Sequence, residues 1–392
     1  MAEIRDGGGI KPIAFYLPQF HAIPENDRAW GEGFTEWTNI KKAQPLFEGH
    51  EQPRVPLGGN YYNLLDDETK IWQANLARTH GIFGFCYYHY WFGRGRMLLE
   101  KPAQQMLKNS AVDLPFCFSW ANEPWSKRWD GGQQEVIMAQ DYGDERDWLA
   151  HLHYLLPFFR DARYITLDGK PVFLIYKPEE IPRLQDMLAC WQREIKKHGF
   201  PGLCLMIQNP VWFLRPDYNK EGFAYQVQFQ PFFALGTRAV GVQRREAIHR
   251  LHHTLAVIGL APVFDRLYAA LRSRRHRPQG EAQQTRLDYD EIWSHILDTP
   301  SSPDRIECAF TDWDNTPRKK TGYMHLGASP DKFETYMTRL LQKIRKSGQP
   351  PLVFINAWNE WCEGAYLEPD ERHGYAYIEA LKRSLERFGQ EG

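Results

Sequence analysis

Residues 352–368, LVFINAWNEWCEGAYLE, decide how the rest of the chain is read. The run Leu352-Val353-Phe354-Ile355 is apolar throughout and follows Pro350-Pro351, the pattern of a strand buried in a parallel sheet. Polar and aromatic residues then take over at once: Asn356, Trp358, Asn359, Glu360, Trp361, Glu363 and Glu368. The end of a buried strand is where an α/β enzyme keeps such groups for chemistry. Glu360 and Glu363 are three apart, so one helical turn would set both on one face. Neighbouring carboxylates push their pKa values apart, and the one that keeps its proton can act as an acid. Trp358 and Trp361 would wall the hollow and offer flat faces to a sugar ring. The plain alternative is an exposed turn with two solvated glutamates.

Seven earlier apolar runs have the same shape, at residues 13–17, 83–88, 115–119, 172–176, 203–207, 224–229 and 307–311. Helical patterns at 66–80, 101–109, 148–159, 184–198 and 375–388 separate or follow them. Polar or aromatic residues follow nearly every run: His21 after the first, His89 after the second, Trp120, Asn122 and Glu123 after the third, and Asp312 after the seventh. This asymmetry predicts an α/β fold, a (β/α)8 TIM barrel with its site at the strands' C-terminal face. Residues 1–392 are expected to form that single barrel, with long βα loops. An open doubly wound sheet would need a glycine-rich first turn, but the turn here is Pro18-Gln19-Phe20-His21. Residues 22–59 read as an ordered loop rich in Pro, Gly and aromatics.

An Arg-rich helical insertion is expected at 237–300. It carries Arg238, Arg244, Arg245, Arg250, Arg266, Arg272, Arg274, Arg275 and Arg277, with Val263, Phe264, Leu267, Tyr268 and Leu271 at helical spacing. It reads as a helical hairpin packed on the barrel, or as a basic amphipathic face for an anionic membrane or a lipid-linked glycan. The formal net charge of −1 argues against nucleic acid as a partner. No signal peptide and no 18-residue apolar run is visible, and the six cysteines form no CxxC pair. Together these predict a cytoplasmic protein with buried free thiols, with peripheral contact at the inner membrane if the insertion binds there.

The chemistry these residues suit is glycosidic cleavage by two carboxylates. Glu363 would be the general acid/base and Glu360 the second carboxylate. Tyr16, His21, Glu36, Trp37, His89, Trp120, Asn122, Glu123, Tyr176, Asp312, Trp358, Asn359 and Trp361 would bind the oligo- or polysaccharide substrate. Glu123 is a rival for either catalytic place, because Asn122-Glu123 follows strand three as Asn359-Glu360 follows strand eight. No cofactor and no metal is expected: HExxH and the G-x-S-x-G elbow are both missing, and the histidines do not cluster in sequence. Asp312-Trp313-Asp314 and Asp288-Tyr289-Asp290 match the D-x-D pattern of metal-dependent nucleotide-sugar transferases, which leaves glycosyl transfer as a second reading.

Five blocks in order carry a family resemblance: IAFYLPQFHAIPENDRAWGEGFTEWTN, GFCYYHYWF, PFCFSWANEPWSKRWDG, RYITLDGKPVFLIYKP and INAWNEWCEGAYLEPD. They resemble the WbsX-like proteins, a bacterial branch similar to glycoside hydrolase family 99. The resemblance implies a (β/α)8 barrel and retaining, endo-acting α-mannosidase or mannanase chemistry. It places the N-E-W-x-E motif on Asn359-Glu360-Trp361-Cys362-Glu363. It further implies that Glu363 is the acid/base, and that Glu360 deprotonates the sugar's 2-hydroxyl to give a 1,2-anhydro intermediate. Genes of this kind lie in clusters for surface polysaccharide, including O-antigen and capsule, and many are labelled glycosyltransferases. Two departures bear on substrate choice. Cys362 stands where the hydrolases have histidine, and AYQVQFQP (residues 224–231) has glutamines where relatives carry acids.

Overall fold

In the computed structural model, residues 1–5, 9–127, 135–210, 218–239, 284–319 and 322–390 are described. Most of the arginine-rich stretch, with its apolar repeat and His252-His253, lies outside them. Eight parallel strands form the centre: β1 (Lys11–Tyr16), β2 (Gly84–Trp91), β3 (Phe116–Trp120), β4 (Lys170–Ile175), β5 (Cys204–Asn209), β6 (Tyr225–Gln228), β7 (Cys308–Phe310) and β8 (Leu352–Asn356). Each pairs with the next as far as β6, and β8 pairs with β1. The ring closes through one chain segment. Arg305–Ile306 pairs with Gln226 and Val227 of β6, and β7, directly after it, pairs with β8. The result is the (β/α)8 barrel that the alternation predicted.

The β1–β2 register sets Phe15 beside Cys86 and Tyr16 beside Tyr87. Phe15 meets Phe229, Phe354 and Tyr88, with ring centroids 5.1, 5.3 and 5.7 Å away. Phe229 directly follows β6, which is not a neighbour of β1, so these rings meet across the barrel interior. With a side-chain period of two, Tyr16, Tyr87, His89 and Trp91 must then face outward. Gly84 is required at the start of β2, because a Cβ there would lie 2.5 Å from the Pro115 carbonyl oxygen.

Ten helices complete the described residues: α1 (Pro24–Trp30), α2 (Glu36–Lys42), α3 (Asp67–Thr79), α4 (Lys101–Lys108), α5 (Glu145–Phe159), α6 (Leu184–Lys197), α7 (Phe232–Ala239), α8 (Tyr289–Asp298), α9 (Pro330–Arg345) and α10 (Ala376–Gln390). Local signals set several of their starts. Asp144 accepts from the amides of Arg146 and Asp147 at α5, and Ser329 accepts from Lys332 ahead of Pro330 at α9. The expected irregular loop after β1 instead contains α1 and α2. Pro24 opens the first, and the second starts on a Thr35/Thr38 capping box. Between β5 and β6 the described residues hold only a 3-10 turn, Tyr218–Glu221. All six cysteines are buried and unpaired. No helix among the described residues is long and apolar enough to cross a membrane.

Candidate active site at the barrel mouth

Beyond β8 the chain makes a tight hairpin rather than a helical turn. Asn359–Glu360 pairs antiparallel with Ala365–Tyr366, and Trp361–Glu363 is a single 3-10 turn between them. Gly364 closes the turn at φ +66°, a left-handed geometry natural to glycine. Asn359 locks the hairpin to the end of β1: its Oδ1 accepts from the Leu17 amide at 2.7 Å and its Nδ2 donates to the Leu17 carbonyl at 3.0 Å. The Asp314 amide donates to the Glu363 carbonyl at 2.7 Å, tying the turn to the loop after β7. Glu360 and Glu363 therefore emerge together from a rigid frame.

They converge on one guanidinium. Arg318, from the loop after β7, forms a short ion pair through Nη1 with Glu363 Oε1. Its Nη2 lies 3.0 Å from Glu36 Oε2 and 3.5 Å from Glu360 Oε2. Glu36 comes from the first turn of α2 and is fully buried. Three carboxylates thus share one arginine, and full ionisation would leave a net charge of −2 in largely desolvated surroundings. Burial pushes Glu360 well above the ordinary carboxylate value, the charge of Glu363 adds to this, and Arg318 pulls the other way. Burial also raises Glu363, while Arg318 lowers it. Burial and mutual repulsion thus both favour a proton held between Glu360 and Glu363.

Inward-facing strand residues form the surroundings. The Gln208 amide donates to the Tyr88 hydroxyl at 3.1 Å and accepts from Ser119 Oγ at 2.7 Å. Burial raises the Tyr88 and Tyr90 phenols, and the Glu360 charge raises both further. Tyr323 is raised by burial and by Glu363. Arg318, Tyr88, Tyr90, Ser119, Gln208 and Tyr323 were not singled out from sequence. The strand parity of GFCYYHYW, with Cys86 in phase with Phe15, carries the signal for the two tyrosines. Arg318, in a polar loop, has no such signal.

Of the residues expected at the site, the structure brings Glu36, Glu360 and Glu363 together. Glu123 pairs with Lys177 at 2.7 Å, and its charge reaches Tyr90. Tyr176, half-buried after β4, acts electrostatically on Tyr323. The others are engaged inside the protein. Tyr16 donates to Gln73 of α3 at 2.7 Å. The His89 ring sits 2.8 Å from His151 of α5, and Trp120 donates to the Trp91 carbonyl at 2.9 Å. Asn122 bridges to the Lys177 backbone through both ends of its amide, at 2.7 and 2.8 Å. His21 is buried, and desolvation pulls it down to about 4. Trp37 donates to the Tyr62 carbonyl at 2.8 Å. Trp358 is fully buried against Phe85, and Trp361 is stacked on Tyr366 at 3.8 Å, so neither indole presents an open face beside the glutamates. Asp312 pairs with Arg54 at 2.6 Å.

The D-x-D segments do not present chelating carboxylates. Besides Asp312 on Arg54, Asp314 accepts from Gln52 at 2.7 Å, from the Thr316 hydroxyl at 2.6 Å and from its amide at 3.0 Å, with His50 at 3.0 Å. Asp288 caps α8, while Asp290 binds Lys332 and Tyr336 at 2.7 and 2.8 Å. Behind the site lies a further buried carboxylate, Glu368. It accepts from Tyr62, Gln73 and Trp361, each at 2.7 Å, and burial still pushes it up to about 7.

Comparison with known proteins agrees with this architecture. Two proteins of Xanthomonas campestris pv. campestris, from two strains and both described as uncharacterized protein WxcX, are 35% identical over 380 residues and 36% over 379. The alignments cover 96% of this chain, which spans about half (49%) of the length of those relatives. Among solved structures, the GH99 endo-alpha-mannosidase from Bacteroides thetaiotaomicron superposes with a TM-score of 0.53 at 14% identity, covering 97% of both chains. A glycoside hydrolase-like protein gives 0.56 at 12% identity, covering 97% of this chain and 96% of the other. At such identities the likeness is one of fold. Residues 12–381 match the family described as Glycosyltransferase WbsX, and with nearly the whole chain inside that match, the protein belongs to the WbsX family.

Proposed function

We propose that this chain is a retaining glycosidase that cuts within a bacterial surface polysaccharide at an α-mannoside-like linkage. The observation that carries the reading is the convergence of Glu360 and Glu363, both raised by burial, on a shared arginine at the barrel mouth. Glu363 gives its proton to the departing glycosidic oxygen as the C1–O bond breaks. Glu360 takes the proton of the 2-hydroxyl, and O2 closes on C1 to form the 1,2-anhydro sugar. Water then opens that ring at C1 with its proton passing to Glu363, while O2 recovers a proton from Glu360. Configuration at C1 is inverted twice and so retained. Arg318 offsets the charge left on Glu363 once its proton has gone.

Surface polysaccharides and aryl α-mannosides, followed by proton NMR, test this. Glu363→Gln and Glu360→Gln should each lower turnover by about 10²–10⁴-fold. A good aryl leaving group should restore the first variant and not the second, and 2-deoxy substrates should be inert to the parent. Full turnover by either variant, or cleavage of 2-deoxy substrates, sinks the mechanism. The family description favours a second reading, in which a sugar hydroxyl replaces water as acceptor and the same groups perform transfer. Lengthened products in the presence of acceptor oligosaccharide would identify it.

A further inference from the structure

A cluster on the outer helices lies apart from the glutamate site. His153 is on α5, Glu194 is on α6, and His198 follows α6 by one residue. The His153 and His198 Nε2 atoms both lie 3.2 Å from the same oxygen, Glu194 Oε1. Their rings stand nearly perpendicular, 5.5 Å apart, and the three candidate ligand atoms all lie within 4.8 Å of one another. A tetrahedral zinc ion bonded at about 2.0–2.2 Å separates its ligands by roughly 3.3 Å. Both imidazole–carboxylate edges of that tetrahedron are therefore already present, and the third needs only a small turn of exposed His153. This is the one such grouping of three potential ligands among the described residues.

Surrounding charges prepare the carboxylate. Lys197 Nζ binds the other oxygen, Glu194 Oε2, at 2.7 Å, which leaves Oε1 aimed at the imidazoles. One contact competes with binding. Arg160 Nη2 approaches His198 Nδ1 at 3.4 Å, which favours the tautomer with its proton on Nε2. Coordination requires the proton on Nδ1 instead, and Arg160 must then turn away into solvent.

We propose that His153, Glu194 and His198 bind a divalent cation of the zinc class, with water in the fourth position, and that the ion staples α5 to α6. Two imidazoles with one carboxylate suit zinc, nickel or copper and not magnesium or calcium. The test uses the whole chain, stripped with chelator and titrated with Zn²⁺, Co²⁺ and Mg²⁺ alone. One Zn²⁺ should bind per chain and raise the melting temperature, Co²⁺ should give a tetrahedral visible spectrum, and Mg²⁺ should do neither. His153→Ala and Glu194→Gln should each weaken Zn²⁺ by about tenfold or more. Arg160→Ala, which keeps all three ligands, should tighten it. Absence of stoichiometric Zn²⁺ binding, or binding that both ligand variants leave unchanged, overturns the proposal.

Discussion

Replacing Glu368 by glutamine tests the electrostatics of this barrel without needing its substrate. Burial lifts the Glu368 carboxyl from an ordinary 4.5 to about 7, although the donors of Trp361, Tyr62 and Gln73 favour its ionised form. A group whose folded-state pKa is raised binds its proton more tightly in the native protein. Its contribution to stability is therefore complete below about pH 4.5 and is lost as the pH rises through 7. At 1.36 kcal/mol per pKa unit, the shift amounts to about 3 kcal/mol between pH 4.5 and 8. Glutamine does not titrate. It does bring an NH2 group against the donors of Tyr62, Trp361 or Gln73, a pH-independent loss of about 1–3 kcal/mol. Urea unfolding across this range should show the parent's stability falling relative to Glu368→Gln by about 3 kcal/mol toward pH 8, enough to close or reverse its advantage. Glu360 and Glu363 titrate in both proteins and cancel in the difference. A parent advantage that stays constant, or grows with pH, refutes the reasoning.

Two further substitutions probe the frame of the site. Arg318→Met leaves Glu36, Glu360 and Glu363 without their shared cation and should cost about 3–5 kcal/mol at pH 8, shrinking as the pH falls and the raised Glu360 and Glu363 take up protons; a small, pH-independent loss by urea unfolding contradicts this. Gly364→Ala forces alanine into φ +66° and sets its Cβ 3.0 Å from both Arg54 Cζ and the Asp314 amide. It should lose about 1–2 kcal/mol from the backbone alone, and an unchanged thermal midpoint would show that the turn is not held in that geometry.

The barrel was readable because a buried parallel strand is apolar on both faces, so each run announced itself without help from its neighbours. The carboxylate pair was readable for a related reason, since the polar switch after β8 is abrupt. Which strand-end residues face the mouth was much less legible. His89 and Trp120 look like site residues by position, yet both lie on the outward parity and are absorbed by α5 and the Trp91 carbonyl. Tyr88 and Gln208, one phase away, are the ones that turn inward. Trp358 and Trp361 illustrate another ambiguity: an indole is as useful for filling a core as for stacking on a sugar, and here the core takes both. Arg318 was invisible because its role depends on three acids brought from residues 36, 360 and 363. The helical turn expected for the glutamate pair gave way to a hairpin, because Gly364 reverses the chain after a single 3-10 turn.

Closure of the ring by β8 has a consequence for synthesis on the ribosome. Until residues 352–356 emerge, β1 and the Arg305–Phe310 segment each keep an unmated edge, and a nascent sheet with two open edges invites pairing with other chains. Glu36 meanwhile waits through more than three hundred residues of translation for Glu360 and Glu363. Assembly of this carboxylate cluster is thus a late, all-at-once event, and any stalled product ending short of β8 is a candidate for chaperone capture.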